Sequence, residues 1–158
     1  MAQDIFIKIQ GIEGESQDAT HLNEIDVIDW TWKVAQQPPV VSGSHSSAAK
    51  ASVSDLEFTH QTDRASPSLA QYCFTGKHIP EATLTMRKSG GFPHEFMRIT
   101  LSDVIVSCVE PFADMNGCIE AVRLSFTRMK KEYLLQNTMG GNAGTVTALI
   151  DIKQKILR

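Results

Sequence analysis

Five histidines, His21, His45, His60, His78 and His94, stand in this chain of 158 residues, and no two of them share a spacing that a helix or strand would turn into a metal site. The nearest thing to a ligand pair is Cys73 with His78, and the preferred reading is a core thiol and a surface imidazole. Glu13 and Glu15 flank Gly14 and could offer oxygens to calcium, but that chemistry needs more ligands than the stretch supplies. Gly90-Gly91 and Gly140-Gly141 lack the lysine or the helix start that a phosphate loop requires. No nucleophile elbow frames a serine. Trp30 and Trp32 could form a stacking platform for bases or sugars. Their spacing places both on one strand face with Ile28 and Val34, so core packing is the preferred reading. Arg87-Lys88 could hold an anion, with a solvated strand end as the preferred alternative.

The chain as a whole is ordinary for a globular protein. Hydrophobic residues make up 42% and charged residues 21%, with a net charge of -3. The composition carries no basic footprint for nucleic acid, and the apolar runs, such as Val104–Val106, are far too short to span a bilayer. The start, MAQDIFIKIQ, puts Asp4 before any basic residue and interrupts the apolar positions with Lys8, so it does not read as a secretory signal. Synthesis in the cytosol is expected, with any export by a route that needs no cleaved signal. The cysteines, Cys73, Cys108 and Cys118, are odd in number and widely spaced, which argues against a disulfide framework or zinc knuckle. Cys73 and Cys108 read as small core residues.

Period-two alternation dominates, and it is what must position any functional side chain. It sets Ile5, Ile7 and Ile9 on one face; Ile28, Trp30, Trp32 and Val34 on another, with Asp29, Thr31 and Lys33 opposite; and Leu56 with Phe58 against Asp55, Glu57 and Thr59. Ala82, Leu84 and Met86 follow, then Met97, Ile99 and Leu101, then the nearly all-apolar 103–109, and then Val122, Leu124 and Phe126. Tyr133 with Leu135, and Val146, Ala148, Ile150 and Ile152, complete about nine strands. The exception is 65–76. There Ser66 can cap, Pro67 fits the first helical position, Leu69, Tyr72 and Cys73 share a helical face, and Gly76 can close the end. Ser89-Gly90-Gly91 and Asn116-Gly117 read as hairpin turns. The longest irregular stretch is 36–52, rich in proline, serine and small residues, and loops of that length inside a domain are often functional. These features point to one domain, residues 1–158, built as a compact β-barrel of two packed antiparallel sheets with one short α-helix.

Pattern alone goes no further, but the residues themselves resemble a known family. Phe6–Ile9, Gly14–Ser16, Asp18 with Thr20-His21, Glu24–Val27, and Trp30 with Trp32 resemble, in order, the "FIKI", "GES", "DxTH", "EIDV" and "WxW" elements that open Hcp (haemolysin-coregulated) proteins. Similar stretches follow at 55–69, 76–91 and 98–109, and the resemblance runs in collinear order to about residue 135. It implies a phage-tail-tube-like β-barrel and a homohexameric ring that stacks on itself to build the inner tube of a type VI secretion system. The implied partners are the VgrG spike, the contractile sheath and small effector proteins, without nucleic acid, membrane insertion, cofactor or catalysis. Within that frame Asp29, Thr31 and Lys33 are expected to face the lumen and touch cargo, a solvated strand face being the alternative. Val40, Val41, Ser42, Gly43, Ser44 and His45, in the long loop, are expected to contribute to ring stacking. The competing reading is a monomeric barrel that binds a small ligand, which would need an apolar cavity.

Overall fold

The alternating segments become antiparallel ladders. A computed structural model describes residues 3–37, 50–89, 93–115 and 117–153. In chain order the elements are β1 (Gln3–Ile9), β2 (Ile25–Asp26), β3 (Asp29–Thr31), β4 (Val34–Gln37), β5 (Lys50–Val53), β6 (Leu56–Gln61), α1 (Ala65–Thr75), β7 (Ile79–Lys88), β8 (His94–Asp114), β9 (Gly117–Ser125), β10 (Arg128–Gln136) and β11 (Asn142–Asp151). The first sheet runs β2-β1-β7-β8-β10-β11, using the front half of β8. The second runs β3-β6-β9-β8, using its back half.

The two sheets are joined by strands that belong to both. Ser125 of β9 pairs with Ile105, and Arg128 of β10 pairs with Ser102, so β9 and β10 follow one another along the same side of β8. The corner between them is pinned at Asp103, whose φ of 54° is unusual for a residue with a Cβ. Thr127 donates its amide to the Ser102 carbonyl at 3.1 Å and its hydroxyl to Asp103 Oδ2 at 3.0 Å. The expected strands at 95–101 and 103–109 are therefore one element.

The inward faces are largely as the alternation requires. Ile7, Ile9, Leu56, Phe58, Leu84, Ile99, Leu101, Val122 and Leu124 lie in a common core, each at most 2% exposed. Burying a side chain of this kind contributes about 1.5–3 kcal/mol. The stretch 25–34 departs from expectation. It is not one strand but three pieces, in which Ile25 and Val27 are buried while Ile28 and Val34 stand half-exposed at 50% and 51%. The reason is that the segment changes sheets in its middle: the Val27 amide donates to Ile5 of the first sheet and the Ile28 amide to Thr59 of the second. Trp30 and Trp32 pack partly buried against the core, and Lys131 lies over the Trp32 ring, 5.6 Å from its centroid. Among the described residues the hydrogen-bonded path ends at β2 and β3 rather than closing, so the two antiparallel sheets are present there without a closed barrel ladder.

The helix starts one residue before the expected cap. Asp63 supplies the capping oxygen, accepting from the Ala65 amide at 2.8 Å, while Ser66 Oγ accepts from the Asp63 amide at 3.1 Å. Gly76 ends it in the left-handed region, as expected. Ala65 and Leu69 are buried beneath it, with Tyr72 and Cys73 partly so. The base of the long irregular stretch is ordered as a ribbon, with Val34 opposite Val53 and Gln37 opposite Lys50. Val40, Val41, Ser42, Gly43, Ser44 and His45, and the turn residues Gly90, Gly91 and Asn116, lie outside the described residues. The strands flanking those two turns do pair with each other.

Candidate functional site

The outward face of the second sheet collects the candidate residues. Asp29 lies opposite Thr59 and Thr31 opposite Glu57, and the rows continue across β9 and β8 through Ala121 to Glu110 and through Arg123 to Cys108. Asp29, Thr31 and Lys33 are all exposed. The structure brings the first two onto β3. Lys33 stands just beyond it, where its amide donates to Ser54 Oγ at 2.8 Å and its carbonyl accepts from the Ser54 amide at 2.9 Å. That exchange fixes the base of the β4–β5 ribbon.

Polar pairs fix the rest of this face. Arg123 Nε donates to Glu57 Oε1 at 2.9 Å, and that carboxylate raises the Arg123 pKa above its ordinary value. Ser107, the extra residue where the β8–β9 register shifts, donates to Asp55 Oδ2 at 2.6 Å. Alternation had placed Asp55, Glu57 and Arg123 on outward faces, but only the register shows them to be neighbours. Cys108, expected in the core, is instead half-buried on this outward face, because the shift at Ser107 turns it there.

Behind the face lies a grouping that sequence reasoning did not find. His60 is wholly buried, and its Nε2 lies 2.7 Å from Glu120 Oε1, itself 3% exposed as a residue. The His60 Nδ1 faces Asp63 Oδ1 at 3.8 Å without a hydrogen-bond partner. Burial, the largest cause, raises the Asp63 pKa, with the Glu15 and Glu120 carboxylates adding repulsion. The signal available was His60 at the inward parity of Leu56 and Phe58; a histidine and a glutamate in inward register imply a buried pair.

The motif residues of the N-terminal third turn out to serve the loop that covers β1. Arg87 donates to Asp18 Oδ1 and Asp4 Oδ2, each at 3.1 Å, and lies over the Phe6 ring, so it is not a solvated strand end. Thr20 donates both its amide and its hydroxyl to Asp18 Oδ1. His21 stacks on Phe6 with ring centroids 4.4 Å apart, and its Nδ1 is hydrogen-bonded to Glu24 Oε2 at 2.9 Å. Glu13 and Glu15 both engage Arg64, whose Nε also donates to the Gly14 carbonyl at 2.6 Å. The Arg87 hydrogen bond, followed by that from Thr20, holds the Asp18 carboxyl well below the usual carboxylate range. A depressed carboxylate stabilises the fold above its unfolded pKa and loses that contribution as pH falls toward its folded value. Asp18→Asn is therefore expected to cost about 1.5–2 kcal/mol at neutral pH. In urea unfolding, the gap from wild type should be constant down to about pH 4 and narrow below it. A gap that grew with acid would contradict this assignment.

The chain is similar to known proteins. The family model described as "Type VI secretion system effector, Hcp" matches residues 6–133. Protein hcp1 of Pseudomonas aeruginosa is 40% identical over 147 residues, which cover 91% of each chain. A crystal structure of Hcp1 from Salmonella typhimurium is similar with a TM-score of 0.78 at 44% identity, covering 98% of this chain and 97% of that one. A crystal structure of a type VI secretion system effector from Yersinia pestis gives a TM-score of 0.79 at 42% identity, covering 94% and 99%.

Proposed function

This chain belongs to the Hcp family of type VI secretion proteins, and from that premise we propose that it is the structural subunit of the secretion system's inner tube. In this reading six copies form a ring and rings stack into a tube enclosed by the contractile sheath and tipped by the VgrG spike. Contraction expels the tube, and small effector proteins travel in its lumen. The segment that includes Val40–His45 contributes to stacking.

The observation that carries the reading is the outward face of β3-β6-β9-β8. Its two central rows are Asp29, Thr59, Ala121, Glu110 and Thr31, Glu57, Arg123, Cys108, which present hydroxyls, charges and small side chains and no large apolar one. Such a face stays wet and binds a passing protein through contacts that are individually weak, which suits a wall that must retain cargo and then release it. Thr31 lies on the edge strand of that wall. The work done is structural. His60 and Glu120 are sealed from solvent, so the pair serves the core rather than a reaction.

Native mass spectrometry with negative-stain imaging tests the reading, and a six-subunit mass with ring-shaped particles is expected. Thr31→Gln, a longer side chain on the lumen wall, should leave those rings intact and cut the co-purification of a cognate effector several-fold. A wild-type protein that stays monomeric at micromolar concentration would sink the ring. Unchanged retention of every effector would remove Thr31 from the wall.

A further inference from the structure

The wall reading leaves open what kind of protein the lumen prefers, and the charges on the two sheets answer it. On the outward face of the second sheet stand Asp29 on β3, Asp55 and Glu57 at the start of β6, and Glu110 on β8. Against these four carboxylates stand two cations, Arg123 in the middle of the face and Lys33 at its edge. Arg123 is already engaged by Glu57, and Asp55 accepts from Ser107. Asp29 and Glu110 are exposed and, among the described residues, make no side-chain hydrogen bond or ion pair. Glu57 first, with Glu110 among the rest, raises the Arg123 pKa, the response of a cation set among surplus carboxylates.

The first sheet is charged the other way. Its outward rows hold Lys8, Arg87, Arg98, Arg128 and Lys130, a surplus of cations over the carboxylates that share those rows. The chain carries a net charge of -3, so most of that excess is concentrated on one face of one sheet. A surface of one sign, folded round into a closed wall, reinforces its own field toward the axis. At physiological salt that field reaches about 8 Å from the wall, so it acts on a protein held against it and hardly on one outside.

We propose that the wall selects its cargo by charge, and that the preferred occupant is a small folded protein with a lysine- and arginine-rich surface. Asp29 and Glu110 supply the unpaired charges that such a surface meets, and Glu57 cancels the one cation that would repel it. Contacts of this kind between hydrated, exposed groups favour capture and discrimination more than tight binding. The same surplus repels an acidic protein of equal size and shape. Selection by charge needs no shape match, so one wall can serve several cargoes that have only their sign in common. The inference rests on the reading of this face as the lumen wall and adds the chemistry of what it holds.

The probe is one small soluble protein made in two surface versions, of net charge about +8 and about -8, each carrying a fluorophore. Fluorescence anisotropy against wild-type rings should show the cationic version bound about tenfold more tightly at about 50 mM salt, and within about twofold of the other at about 0.5 M. Glu57→Gln with Glu110→Gln makes the face neutral and should abolish the preference in rings that native mass spectrometry shows to be intact. Glu13→Gln with Glu81→Gln removes the same charge away from this face and should leave the preference in place. Should the first pair fail to assemble, Glu110→Gln alone, which touches an unpaired carboxylate, must still weaken the preference by about twofold or more. Equal binding of the two versions by wild-type rings, or a preference that survives the loss of Glu57 and Glu110, would overturn the proposal. If Thr31→Gln still reduced effector retention in that case, the wall would stand and only its selection by charge would fall.

Discussion

Glu120→Ala is expected to destabilise the chain by about 3–5 kcal/mol, the largest single effect anticipated here. The substitution removes more than a contact. His60 is wholly buried, and Glu120 Oε1 at 2.7 Å is the acceptor or donor that satisfies its Nε2. Its other ring nitrogen already lacks a hydrogen-bond partner. With Glu120 gone, an imidazole has no partner inside a core formed by Phe58, Leu56, Val122 and Leu124, and its desolvation is no longer offset. The size of the effect comes from that asymmetry and not from the strength of the pair itself. Replacing both residues by leucine should recover most of the loss, because no orphaned polar group remains. Urea unfolding of His60→Leu, Glu120→Leu and the double leucine variant closes the thermodynamic cycle. A double variant costing as much as the two singles together would show the residues to be energetically independent, contrary to their geometry.

Gly14→Ala should cost about 2–3 kcal/mol, as expected for overpacking against parts that cannot move. A Cβ there would lie 2.6 Å from the Glu24 carbonyl oxygen and 2.8 Å from Ile25 Cα. Ile25 is wholly buried and Glu24 is held by the carbonyl's bond to the Ser16 amide, so neither has room to yield. Displacement would carry away the Gly14 carbonyl that accepts from Arg64, and would disturb the start of the segment 25–31. Gly76→Ala is the informative comparison. Nothing lies within 4 Å of its added Cβ, and only the left-handed φ of 67° opposes it, so about 1 kcal/mol is expected. Thermal or urea unfolding ranks the two. Equal costs would mean that the close packing at Gly14 is not the controlling factor.

Strand parity was the most legible property of the sequence. Leu56 and Phe58, Ala82 and Leu84, Val122 and Leu124 are buried as their alternation requires, because a strand with one wet face imposes that period. The failures occur where a strand bends. Ile28 and Val34 share parity with Trp30 and Trp32, yet Ile28 stands where the chain passes from one sheet to the other and Val34 opens the separate β4–β5 ribbon, and parity does not survive those breaks. At Cys108 a single extra residue in the ladder reversed the face. The candidate surface was half legible: alternation put Asp29, Thr31, Glu57 and Arg123 outward, but which of them meet is set by register, and register depends on pairings between distant parts of the chain. Parity put His60 inward, but its pairing with Glu120 was hidden for the same reason, since 60 residues separate partners that only the β6–β9 ladder brings together.

The long strand β8 bears on how the molecule carries force. Its front half is clasped between β7 and β10 and its back half lies along β9, so the backbone from His94 to Asp114 is a single tie passing through both layers. A pull along that axis loads the cross-strand bonds in shear, all of them together, whereas a pull across it would open them one after another like a zipper. The corner at Asp103 and Thr127 is where such a tie would straighten first, and its two hydrogen bonds hold the bend against the load. The chain is expected to resist extension most along its own longest strand.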